Sequence, residues 1–132
     1  MIYALDSDII SYMLKGDKDI LLNFGELISG NNDYSIPPIV YYEVQRGLTD
    51  IRATKKLKEF DELYKYSLKK EMPTEAWEKA VGIWVNLKRI GRLIGDDDIF
   101  IAAFCIINGY TLITNNIKHY SNISELKTVN IV

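Results

Sequence analysis

Apolar positions along this chain recur with two periods. Short apolar runs stopped by polar residues predict strands at residues 1–5, 34–36 and 110–113, with shorter candidates at 67–71 and 126–131. Between them the apolar spacing is three to four residues. It predicts helices from Ser7 or Asp8, as cap, to about Leu14, then over 18–28, from Pro38 to about Arg46 with an end near Gly47, over 51–64, over 73–90 with Thr74 as cap, and over 98–108. The last of these has almost no polar face, so it is expected to be buried on most sides and to end at Gly109. Strands alternating with helices imply an α/β fold: a mostly parallel central sheet with helices on both faces, in three layers.

The chain has 132 residues, 48% of them hydrophobic and 26% charged, which suits one globular domain spanning 1–132. No internal repeat or linker interrupts it. No apolar run approaches the ~18–20 residues of a membrane helix, and the N-terminus lacks a basic leader, so a cytoplasmic address without membrane attachment is expected. Cys105, the single cysteine, sits in an apolar run and reads as a small core residue.

Charge changes the picture. The net charge is −2, but residues 46–92 hold twelve of the sixteen Lys and Arg against seven acids, a net of +5, while the remainder carries −7. A basic middle beside acidic ends fits a phosphate-binding rim around an acidic site; it equally fits a solvated helical face.

Ligands of open α/β sheets bind beyond the carboxyl ends of the strands. Asp6-Ser7-Asp8 follows the first strand, and Thr114-Asn115-Asn116 follows the strand at 110–113. Asp98 shares a helix face with Ile101, Ala102 and Cys105, so its carboxylate points to the core edge, where it needs a cation or hydrogen bonds. Helix capping is assigned to Asp96 or Asp97. Glu43, within Ile39-Val40-Tyr41-Tyr42-Glu43-Val44, lies on a helix edge or is held by a ligand. Asp6 alone reads equally as a turn or cap residue. Converging carboxylates repel one another unless a cation lies among them, and oxygen-only ligands select Mg²⁺ or Mn²⁺. With one His and one Cys, a zinc site is not expected.

Four segments carry a family resemblance: YALDSDIISYML, SIPPIVYYEVQRGL, IGDDDIFIAAFCIINGYTLITNN and IKHYSNISELKTVNIV. In their order and spacing the sequence resembles PIN-domain proteins, and among these the VapC-type toxins of toxin–antitoxin pairs. The resemblance implies a Mg²⁺- or Mn²⁺-dependent endoribonuclease that cuts structured RNA (tRNA or ribosomal RNA) and inhibits translation. It also implies a homodimer and an antitoxin partner that blocks the site. It places the metal-binding acids on Asp6, Glu43 and Asp98, the fourth catalytic position on Asn116, the preceding hydroxyl on Thr114 and another on Ser7. Two positions depart from the family pattern: Asp8 stands where Asn is usual, and Asn116 where Asp is common, which favours one firmly held ion over two.

Other residues read more plainly. His119, the only histidine, is expected in a surface or packing role. Arg46 is a candidate for phosphate contact or for pairing with Glu43, and Arg92 for phosphate contact. Trp77 and Trp84, seven apart on a helix, read as core or dimer seam before base-stacking. Two rival functions stand beside the nuclease. One is a haloacid-dehalogenase-like phosphatase, suggested by Asp6-Ser7-Asp8. Its strand-end hydroxyl should precede the late acidic motif, whereas Thr114 follows it. The other is a PIN-like RNA-binding module without activity, against which the presence of all three acids speaks.

Overall fold

In the computed structural model, which describes residues 1–132, four strands form one parallel sheet of order β2-β1-β3-β4. They are β1 (Ile2–Leu5), β2 (Asp33–Ser35), β3 (Thr111–Ile113) and β4 (Thr128–Val129). Parallel strands buried on both faces need unbroken apolar sequence; accordingly Ala4, Leu5, Leu112 and Ile113 of the two central strands are fully buried. The connections are α1 (Ser7–Leu14) and α2 (Lys18–Ile28) between β1 and β2, then α3 (Pro38–Asp50), α4 (Thr54–Lys65), α5 (Thr74–Arg89) and α6 (Asp96–Asn108) between β2 and β3. The first connection moves one way along the sheet and the second moves back past β1. Helix α1 packs against α2, α3 and α4, while α5 packs on α6, so the helices surround the parallel sheet in the α/β arrangement that the sequence predicts.

The register fixes where chemistry gathers. Leu5 pairs with Ile113, so the residues that follow them, Asp6 and Thr114, leave adjacent strands side by side. The ladder continues one step past the sheet, with Asp6 N–H donating to the Ile113 carbonyl at 3.0 Å and Thr114 N–H to that of Val129 at 3.0 Å. Helix α6 carries its apolar residues Ile99, Ile101, Ala102, Phe104 and Cys105 into the core, with Gly109 closing it at φ 71°.

Several boundaries differ from expectation. Helix α1 is capped by Asp6, whose carboxylate accepts from Ser7 N–H, and not by Ser7 or Asp8. Pro73, not Thr74, precedes α5, and no side chain caps it. Helix α3 runs through Gly47 to Asp50, because the left-handed turn comes later, at Arg52 with φ 55°. The strand expected at 67–71 shrinks to one bridge between Leu68 and Ser35, and the last strand to two residues. A 3-10 turn (Ile117–Tyr120) follows β3 without a periodic apolar signal. Trp77 and Trp84 do share a face of α5, but that face stays 44% and 38% exposed, with Val81 between them, so it is not core.

Candidate active site

Asp6 is a carboxylate at a strand end that is only 6% exposed. Its Oδ1 accepts from Ser7 N–H at 2.8 Å, and its Oδ2 from the hydroxyls of Thr114 at 2.9 Å and Tyr120 at 3.1 Å. Burial, and next the neighbouring Asp8, raise its pKa, while the three hydrogen bonds oppose the rise. Thr114, fully buried, also accepts the Asn116 N–H at 3.0 Å, so one hydroxyl joins the Asp6 carboxylate to the turn after β3. Asp8 fixes the same turn from the other side: its Oδ2 accepts Asn115 N–H at 3.0 Å. Burial raises the Asp8 pKa as well.

The three aspartates that open α6 diverge, as successive residues about 100° apart on a helix must. Asp96 lines a small apolar hollow with Trp77, Trp84 and Phe100. Asp97 turns toward Glu43. Asp98 turns inward, where its Oδ1 accepts from Tyr120 at 3.1 Å and its Oδ2 lies 2.7 Å from His119 Nε2. Capping by Asp96 or Asp97 is therefore corrected: Gly95 is the cap residue and no side chain bonds there. A Cβ at position 95 would meet Asp97 Oδ1 at 2.6 Å, so a larger residue there would displace the Asp97 carboxylate.

Glu43 completes the group from α3. Its Oε1 is buried without a hydrogen-bond partner. Its pKa is pushed up to about 7, first by burial, then by a shared hydrogen bond with Asp97 and by the charges of Asp97, Asp98 and Asp6. Four carboxylates from three places in the chain thus act on one another, and His119 is the single basic side chain paired with any of them. Burial and the two aspartates raise the Tyr120 pKa far above its usual range, so its hydroxyl keeps its proton and serves as a donor.

Whether these residues suit a divalent cation turns on donor chemistry and on placement. The donors are hard oxygens, Glu43 Oε1 is an orphaned acceptor, and the mutual repulsion is of the kind a cation relieves. No three His, Cys, Asp or Glu side chains already converge at ligating distance, because Asp98 is held by Tyr120 and His119 and Glu43 leans to Asp97. By its chemistry the donor set suits a hard cation, with Asp6 and Asp98 close enough for their charges to act on Glu43.

Beside the acids opens a cleft of about 520 Å³ lined by Ser7, Asp8, Glu43, Arg46 and Lys56 among others. Arg46 stands 5.0 Å over the Tyr42 ring and does not form an ion pair with Glu43. Arg92 is exposed in the loop before α6, with no bond from its side chain to the acids, and the Asn116 side chain likewise bonds none of them. The acids foreseen in the sequence do gather here. Tyr120, His119, Asp97 and Lys56 were not foreseen. Tyr120 is bonded to a residue 114 positions away, a separation that leaves no local pattern; only the rarity of a lone histidine next to it offered a signal.

The PIN domain family model matches residues 3–125. Ribonuclease VapC2 of Rickettsia felis is 32% identical over 130 residues, covering 96% of this chain and 95% of the relative. Ribonuclease VapC1 of Haemophilus influenzae is 30% identical over 128 residues, covering 96% of each. Among solved structures, VapBC2 from Rickettsia felis bound to a promoter DNA fragment superimposes with a TM-score of 0.90 at 28% identity, covering 98% of both chains. VapBC-1 from nontypeable Haemophilus influenzae shares the fold, with a TM-score of 0.87 at 24% identity over 98% of both chains.

Proposed function

This chain belongs to the PIN-domain family, and from that premise we propose that it is a single-domain, divalent-metal-dependent endoribonuclease toxin of the VapC kind. The observation that carries the reading is the mutual action of Asp6, Glu43, Asp97 and Asp98, which leaves Glu43 with a pKa of about 7 and an unpartnered buried oxygen. The relatives' ribonuclease names and their near-complete coverage support the activity. The phosphatase alternative fails on the family and on geometry, since its late acidic motif would end a strand and here opens α6.

Asp6, Glu43 and Asp98 would hold Mg²⁺ or Mn²⁺. Such an ion polarises a phosphoryl oxygen and lowers the pKa of attacking water. The chain's own residues do the remaining work. Thr114 and Ser7 N–H hold the Asp6 carboxylate in place. Arg46 and Lys56 line the adjoining cleft with positive charge suited to a phosphate backbone, with the Ser7 hydroxyl beside them. Asn116 serves as a neutral neighbour at the turn, and Arg92 as an outer phosphate contact. Structured RNA, tRNA or ribosomal RNA, is the proposed substrate, with arrest of translation as the consequence. An antitoxin is the proposed partner, supported by the VapBC structures among the structural neighbours. The half-exposed strip of Trp77, Val81 and Trp84 supports self-association into a homodimer.

The test is cleavage of purified tRNA and ribosomal RNA by the purified protein, with Mg²⁺ or Mn²⁺ and with chelator. Metal-dependent cleavage that Asp98→Asn removes is expected. RNA binding without cleavage under any divalent ion would favour the non-catalytic RNA-binding module instead.

A further inference from the structure

Tyr120 occupies an unusual place in this molecule. It is 2% exposed, it ends the 3-10 turn after β3, and its hydroxyl lies 3.1 Å from oxygens of two different acids, Asp6 Oδ2 and Asp98 Oδ1. Those acids come from the end of β1 and the start of α6, elements with no backbone hydrogen bond between them at this point. The two oxygens are therefore spanned by one hydroxyl, with a single proton shared between them. Two like charges so held would otherwise move apart; the phenol opposes that movement and sets their separation.

We infer that Tyr120 is a positioning residue of the acidic centre, its hydroxyl holding Asp6 and Asp98 at the spacing from which both can ligate one divalent cation. The inference rests on the metal-dependent reading of that centre. The count of acceptor sites supports it. Asp6 Oδ2 already receives Thr114 and Tyr120, which leaves Oδ1, with only Ser7 N–H upon it, free to turn to a cation. Asp98 Oδ1 receives Tyr120 alone and keeps a lone pair. The tyrosine thus occupies the lone pairs that fix orientation and leaves others available. His119 adds a second hold on Asp98 from the neighbouring residue, but it touches one acid only. The bridging contact belongs to Tyr120.

The experiment measures Mn²⁺ affinity of the full chain by titration calorimetry, alongside RNA cleavage as a function of Mn²⁺ concentration. Tyr120→Phe keeps the ring and deletes the bridge. Outer partners of metal ligands are worth roughly 10- to 100-fold in affinity, so the Mn²⁺ Kd should rise by about that factor. The Mn²⁺ concentration for half-maximal cleavage should rise in parallel, while the rate at saturating Mn²⁺ stays within a few-fold of wild type. A purely structural role would lower the amount of active protein without moving the Kd. Tyr120→p-aminophenylalanine retains a donor at the same place; it should keep wild-type affinity and serves as the folded comparison if the Phe variant is unstable. Equal Mn²⁺ Kd values for wild type and Tyr120→Phe, or loss of affinity in the p-aminophenylalanine variant, would overturn the positioning role and leave the nuclease reading intact. Absence of Mn²⁺ and Mg²⁺ binding by wild type would overturn both.

Discussion

His119 Nε2 lies 2.7 Å from Asp98 Oδ2, which places the only histidine of the chain in the acidic centre and not in a surface role. The pair explains how Asp98 tolerates its half-buried site: Tyr120 and His119 each satisfy one of its oxygens. It also separates the charge of Asp98 from its shape, and that separation leads to the first prediction.

Asp98→Asn should preserve the fold and remove the activity. The amide oxygen can still accept from Tyr120, and the side chain keeps the size and shape of Asp98. The melting temperature in chelator should change little, since repulsion with Glu43 falls. RNA cleavage should drop by roughly 10²- to 10³-fold, the scale of losing one electrostatic contributor to a transition state. Cleavage at the wild-type rate would show that the centre lies elsewhere.

Stability in chelator should fall as pH rises through the range between about 4.5 and about 7. The Glu43 carboxyl is raised from 4.5 to about 7 on folding. Below 4.5 both folded and unfolded chains carry the proton, so the group is neutral to stability there. Between the two values the unfolded chain has lost the proton and the folded chain keeps it, so unfolding gains as pH rises. Asp6 and Asp8, also raised by burial, act in the same direction. Thermal melts across roughly pH 4 to 8 should show the decline, and Glu43→Gln should flatten it. Mn²⁺ added at the alkaline end should restore stability, because the cation binds the ionised form.

Lys56 and Arg46 should contribute through charge. Replacing either with Ala should weaken RNA binding uniformly across sequences and reduce the slope of log K against log salt by about one. Binding is measured in Ca²⁺ or chelator by fluorescence anisotropy at several salt concentrations. An unchanged slope for both variants would remove the cleft from the RNA path.

Thr114→Val tests the link between the turn and the site. The valine has nearly the same shape but neither donates to Asp6 nor accepts from Asn116 N–H. The orphaned groups should cost about 1–3 kcal/mol of stability, read by denaturant unfolding. A cost near zero would mean the turn reorganises freely.

Much of this protein is written in local pattern. Parallel strands buried on both faces demand continuous apolar runs, so Ile2–Leu5 and Thr111–Ile113 were visible, as was α6 with Asp98 on its buried face. Asp98 was visible for a related reason: a carboxylate set into apolar surroundings contradicts its neighbours, and such contradictions mark function; Asp6 and Glu43 stood out only through the family resemblance. What the sequence could not carry was anything set by distance in space. Capping of α6 by Asp96 or Asp97 was a sound local inference, but the acidic cluster turned Asp97 toward Glu43 and left Gly95 as the cap. The part played by Tyr120 and His119 depended on β1 and β3 lying side by side, with the 3-10 turn folding back over their ends. Periodicity reports which face of an element is buried. It is silent on which distant side chain that face meets, because hydrogen-bond partners 22 and 114 residues away are brought together by the sheet register and the packing of α6 alone.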